Sequence, residues 1–160
     1  MKVNTTRFGT LEIDDSSIIK MPKGPLGFEE NTDYCLIHHR PDTRFRWLQS
    51  VDEPGLAFVV VDPSQFFTDY DIEVPDAETE MLGIKSADDA LVLVVVTIAE
   101  EGTEISADLA APIIINSKDL TGMQVVLHDD HYSVKHQIVV NTDRDTTEAA
   151  ARENAQARAA

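Results

Sequence analysis

Apolar and polar positions alternate along this chain in short runs, and Gly, Pro, Asp and Asn cluster between them. Period-two alternation rich in β-branched and aromatic residues predicts strands, because successive side chains on an extended backbone point to opposite faces. Such runs lie at Val3–Arg7, Leu11–Ile13, Ile18–Met21, Tyr34–His39, Phe45–Val51, Ala57–Val61, Leu91–Ile98, Glu104–Leu109, Ile113–Asn116, Gln124–Leu127 and Tyr132–His136. The clearest pair is in FRWLQSVDEPGLAFVVVDP, from Phe45 to Pro63. Here Trp47 to Val51 suits an extended segment, Asp52 to Gly55 carries turn chemistry, and Leu56 to Val61 resumes as a strand, which predicts a hairpin.

Helical patterning is sparse. Gly27–Asn31 has room for one turn, and Asp76–Leu82 reads as a short helix with Asp76 as N-cap, Glu78 and Glu80 in its first turns and Gly83 as its stop. The expected fold is all-β: a single-domain antiparallel β-barrel-like fold with one or two short helices and a C-terminal tail. Residues 1–140 form the β domain in this reading. Residues 141–160, NTDRDTTEAAARENAQARAA, contain no bulky apolar side chain and are expected to be an Ala-rich tail, partly helical or disordered.

Composition narrows the function classes. With 160 residues, 42% of them hydrophobic, the chain is sized for one core. A single cysteine, Cys35, excludes an intramolecular disulfide framework. The N-terminus lacks the apolar stretch of a signal peptide, and the longest apolar run, Ala90 to Ala99, is too short to span a bilayer as a helix. A cytoplasmic location is expected. The net charge is −16, and between residues 62 and 104 twelve acidic residues face Lys85 alone. That field repels phosphate and attracts basic proteins, so direct nucleic-acid binding is not expected.

Four groups of residues carry side chains or patterns suited to chemistry. His128, His131 and His136 with Asp129 and Asp130 have metal-ligating side chains, but on a strand His128 and His131 point apart, so an Asp-rich hairpin turn with surface histidines is the better reading. Cys35 lies near His38 and His39 yet beyond direct reach along a strand, which favours a buried thiol over a nucleophile. GPLG at Gly24 lacks the Gly-Lys-Ser/Thr of a phosphate loop and reads as a turn. The carboxylates fall in loops without apolar neighbours to raise their pKa. No catalytic residue, metal ligand or cofactor is therefore expected.

The stretch from Gln65 to Val74 differs from these, because Phe66, Phe67, Tyr70 and Ile72 interleave with Asp69, Asp71 and Glu73. Apolar anchors inside an acidic field suit a basic, partly apolar protein partner; equally, Phe66 and Phe67 suit a plug for the open end of a barrel. Both readings hold together if Phe67 points inward and Tyr70 outward. The candidate partner-binding residues are Phe66, Phe67, Asp69, Tyr70, Asp71 and Glu73.

Several motifs occur in an order that resembles the FliW family of flagellar assembly factors. These are TRFG at Thr6, GPLGFEE at Gly24, LQS with its acidic Pro turn and LAF at residues 48–58, APIIIN at Ala111, QVVLHDD at Gln124 and YSVKH at Tyr132. Lys135 and Gln137 stand where the pattern favours Arg and Pro. The resemblance covers about residues 1–138 and implies a cytoplasmic, non-enzymatic protein, expected to be a monomer. It further implies binding to flagellin before export and, when flagellin is scarce, antagonism of the RNA-binding translational repressor CsrA. The competing readings are a metal-dependent enzyme built on His128, His131 and His136, and an acidic nucleic-acid mimic.

Overall fold

The computed structural model describes residues 1–38, 43–67, 70, 72–98, 105–127 and the backbone of 136–138. Among the described residues eleven strands are formed: β1 (Lys2–Thr5), β2 (Gly9–Glu12), β3 (Ile19–Lys20), β4 (Asp33–Ile37), β5 (Arg46–Ser50), β6 (Ala57–Val61), β7 (Ala90–Ile98), β8 (Ile105–Ala107), β9 (Ile113–Asn116), β10 (Gly122–Gln124) and β11 (His136–Ile138). An α-helix, α1 (Asp76–Leu82), lies between β6 and β7. The main sheet runs β10-β9-β7-β6-β5-β4-β3, antiparallel at every named pair. A parallel bridge between Lys20 and Thr121 brings its two ends together, with the Lys20 N–H donating to the Leu120 carbonyl at 2.9 Å. The sheet thus curls into a barrel-like form.

Strand β7 is the longest because it serves two neighbours on one edge. Ala90 to Leu93 pair with β9, and Val96 to Ile98 pair with β8, which in turn carries β11. Alternation then places two cores on opposite faces. Leu48, Phe58, Val60, Leu93, Ile113 and Ile115 fill one, whereas Trp47, Ala57, Val59, Val61, Val94 and Val96 line the other. Every residue of β6 is buried, which is why AFVVV reads as a continuous apolar run rather than an alternating one. Full burial of each such side chain contributes about 1.5–3 kcal/mol.

The predicted hairpin is present with β5 and β6 in the register Trp47↔Val59 and Leu48↔Phe58. Gln49 holds its turn. Buried completely, its Nε2 lies within hydrogen-bond distance of the carbonyls of Ser50, Glu53, Pro54 and Leu56 at 3.0, 3.4, 3.2 and 3.2 Å, while Ser50 Oγ accepts from the Glu53 N–H at 3.0 Å. In GPLG, Gly24 adopts φ +64°, and a Cβ there would sit 2.5 Å from the Phe28 carbonyl oxygen, so only glycine fits.

Several expected boundaries shift for identifiable reasons. The helical turn predicted at Gly27–Asn31 is instead a pair of tight turns closed by Phe28 N–H to Pro25 O and Asn31 N–H to Phe28 O. The cap of α1 is Pro75, not Asp76, which lies inside the first turn, and no side chain caps the helix; Gly83 is its left-handed stop, at φ +70°. The strand expected at Gln124–Leu127 runs earlier, at Gly122–Gln124. Past it, Val125 donates to the Pro112 carbonyl, but Pro112 has no N–H to return, and the regular ladder ends. The strand expected at Tyr132–His136 is observed from His136 onward; residues 132–135 lie outside the described residues, as does the tail at 141–160.

Candidate partner-binding surface

The chain leaves β6 at Asp62, whose Oδ1 accepts from the Ser64 N–H at 2.9 Å and the Ser64 hydroxyl at 2.7 Å. This side-chain cap starts a single 3₁₀ turn, Pro63–Gln65, and turns the chain off the sheet. Phe66 and Phe67 follow, half-buried against the core that contains Trp47 and Val94. Phe66 sits 6.2 Å from Phe45 between ring centroids and beneath the Arg44 guanidinium, 4.0 Å from the ring centre. Arg44 Nη1 also donates to the Gln65 carbonyl at 3.2 Å.

Tyr70 is half-buried rather than exposed, contrary to the orientation expected from sequence. Its hydroxyl donates to the Leu109 carbonyl at 2.7 Å, so a polar tip is satisfied internally while the ring packs on the core. Ile72 and Val74 continue the segment and pack against a smaller cluster containing Leu82, Ile114, Met123 and Val125. Glu73 between them is exposed. Of the six candidate residues, Phe66, Phe67 and Tyr70 therefore anchor the segment and Glu73 faces solvent; Asp69 and Asp71 lie outside the described residues.

Two clefts flank this strap. One, of about 270 Å³, lies between Asp62–Ser64, Tyr70, Ile72 and the start of β7. The other, of about 340 Å³, is lined by Ile72, Val74, Ile84, Ala87, Val92 and Ile114 with Thr79 and Lys85 at its edge. Ile72, Ala90 and Val92 border both. Nearby in the fold, Asn116 Nδ2 donates to the Leu82 carbonyl at 2.8 Å and its Oδ1 accepts from the Lys118 N–H at 2.9 Å, tying the end of α1 to the β9–β10 turn.

Other candidates separate. Cys35 is buried beside Val3 and Ile18, and burial pushes its thiol pKa up, which keeps it protonated and poorly nucleophilic. The His38 Nε2 donates to the Thr43 carbonyl at 2.9 Å, and His39 lies outside the described residues. Among the described residues no group of His, Cys, Asp and Glu converges as metal ligands. His128 and His131 are outside those residues, and the side chain of His136 is not described.

Two features were not legible from sequence. Asp108 contradicts the expectation that no carboxylate has an apolar setting: burial raises its pKa, opposed by hydrogen bonds from the backbone of Ala111 and Ala110. The clefts are the second, because each depends on where the strap between the 3₁₀ turn and α1 lies in space rather than on any local motif.

Relatives place this architecture. The FliW protein family model matches residues 2–138. The chain is 35% identical over 147 residues to a flagellar assembly factor FliW from Leptospira biflexa, covering 91% of this chain and 96% of that protein. It is 40% identical over 136 residues to one from Geobacter sulfurreducens, covering 85% of each. A crystal structure of the flagellar assembly factor FliW superposes with a TM-score of 0.80 at 34% identity, covering 89% of this chain and 99% of the other. The motifs, the curled sheet and these relatives agree, and the chain belongs to the FliW family.

Proposed function

We propose that this protein is a cytoplasmic, non-enzymatic flagellar assembly factor that binds flagellin before export and switches to CsrA when flagellin is scarce. The observation that carries the reading is the family match across residues 2–138. Charge supports it independently, since a −16 body brought beside an RNA-binding protein repels the RNA backbone while attracting basic surfaces. Antagonism then needs no occupation of the RNA site. In this reading the β domain, residues 1–140, carries both interactions as a monomer.

The strap is the proposed steering surface: Asp69, Asp71 and Glu73 supply charge, and Phe66, Phe67 and Tyr70 fix its path. Replacing the three acidic residues with lysine should slow CsrA association about tenfold at low salt, with the difference shrinking as ionic strength rises. Stopped-flow association rates measure this. An unchanged low-salt rate excludes the strap, and failure of the native protein to bind either flagellin or CsrA in a calorimetric titration rejects the function.

A further inference from the structure

Strand β7 is paired along both edges at its centre but along one edge only at its start. The Ser117 N–H donates to the Asp89 carbonyl at 2.8 Å and the Asp108 N–H to the Val95 carbonyl at 2.9 Å. Odd-numbered residues of β7 therefore direct their N–H and C=O groups toward β9 and β8, and even-numbered residues direct theirs toward β6. The ladder with β6 pairs Val60↔Val95 and Val61↔Val94. One step further, Val92 should meet residue 63. That residue is Pro63, which has no N–H to donate, and whose carbonyl already accepts from Phe66 and Phe67 at 3.1 and 2.8 Å.

The register of β6 with β7 ends at Val61↔Val94, so Val92 has no register partner in β6. The Ala90 N–H is taken by the Ala87 carbonyl, but its C=O points the same way as Val92. The cleft of about 270 Å³ lies at this interruption, with Asp62, Pro63 and Ser64 where β6 would have continued and Ile72 opposite. A short, notched edge of this kind is protected from indiscriminate pairing, because the 3₁₀ turn and strap leave room for only a few residues.

We propose that this notch is a strand-addition site for an extended segment of a partner protein in which apolar residues alternate with Lys or Arg. The N–H and C=O of Val92 and the C=O of Ala90 supply the backbone pairing, and the apolar wall of Ile72 and Val92 receives one side chain. Charge selects basic flanking residues, since Asp62 lines the cleft and the stretch of sequence from 62 to 104, which contributes all of its lining, carries twelve acidic residues and one lysine. A nucleic acid offers no peptide groups to complete the ladder and is repelled by the same field. The identity of the natural partner rests on the proposed function; the edge itself does not.

Amide hydrogen exchange of the full chain, read residue by residue by NMR, tests the proposal. In the free protein the Val92 amide should exchange at least about tenfold faster than those of Leu91 and Leu93, which face β9. Saturating acetyl-Val-Lys-Val-Lys-Val-amide should slow Val92 about tenfold and leave Leu91 and Leu93 unchanged, whereas the same peptide with Glu for Lys, and a single-stranded RNA, should leave Val92 unchanged. Ser64→Trp, which fills the cleft from an exposed position, should abolish the slowing. The proposal is overturned if Val92 is already as slow as Leu91, if the lysine peptide leaves it unchanged, or if the glutamate peptide or RNA protects it equally. Flagellin and CsrA are then added separately. Protection of Val92 by either assigns the partner, whereas protection by the lysine peptide with no binding of either protein upholds the edge and rejects the proposed function.

Discussion

At the scale of single residues, burial decides which polar groups carry cost and which carry structure. Asp108 is half-buried; its Oδ1 has no hydrogen-bond partner among the described residues, and burial holds its pKa above the ordinary carboxylate range. A folded-state pKa above the unfolded value means that ionisation disfavours the fold, so the penalty is absent below about pH 4 and complete above the folded pKa. Asp108→Asn should consequently stabilise the protein at pH 7, by at most about 1 kcal/mol once solvent screening at a half-exposed site is allowed for. Urea denaturation at pH 7 and pH 3.5 checks this, with the gain shrinking at the lower pH; equal gains at both would locate the effect in packing. Residues of this kind were illegible in sequence because Asp108 differs from the other acidic residues only in what folds around it. Cys35 was legible, since a lone small thiol inside an apolar run is most simply a core residue.

Elements follow the same division. The strand at Ala57–Val61 and the helix at Asp76–Leu82 match their sequence patterns, the first because both faces of β6 are buried and the second because Gly83 supplies a left-handed stop. Other ends moved where a proline or a side-chain hydrogen bond outweighed strand propensity: Pro112 ends the ladder of β10, and Thr5 Oγ1 accepts from the Phe8 N–H at 2.8 Å, ending β1 before Arg7. The LQS motif proves to be turn architecture. Because Gln49 Nε2 serves carbonyls within and flanking the Asp52–Gly55 turn, Gln49→Ala should cost about 1–3 kcal/mol. Gln49→Glu should cost more at pH 7, since a carboxylate would face those carbonyls with no N–H to offer. Chemical unfolding of both variants measures the order; equal stabilities would show that the amide only fills space.

For the whole molecule, the sequence pattern conveyed a curled antiparallel sheet but not the interruption at Pro63 or the strap that borders two clefts. Those arise from the relation of β6, β7, Tyr70 and residues 72–74, which no local run encodes. In the proposed function, two partners of different chemistry take separate places on this molecule. Partner switching then requires negative coupling between those places, reciprocal by thermodynamic necessity and on the order of 1–3 kcal/mol for a useful response. Calorimetric titration of CsrA into this protein at increasing fixed concentrations of flagellin measures that coupling directly. The account predicts that CsrA affinity falls by about 5- to 150-fold and then reaches a plateau, with the same factor recovered when the order of addition is reversed; a CsrA affinity unchanged at saturating flagellin would contradict it.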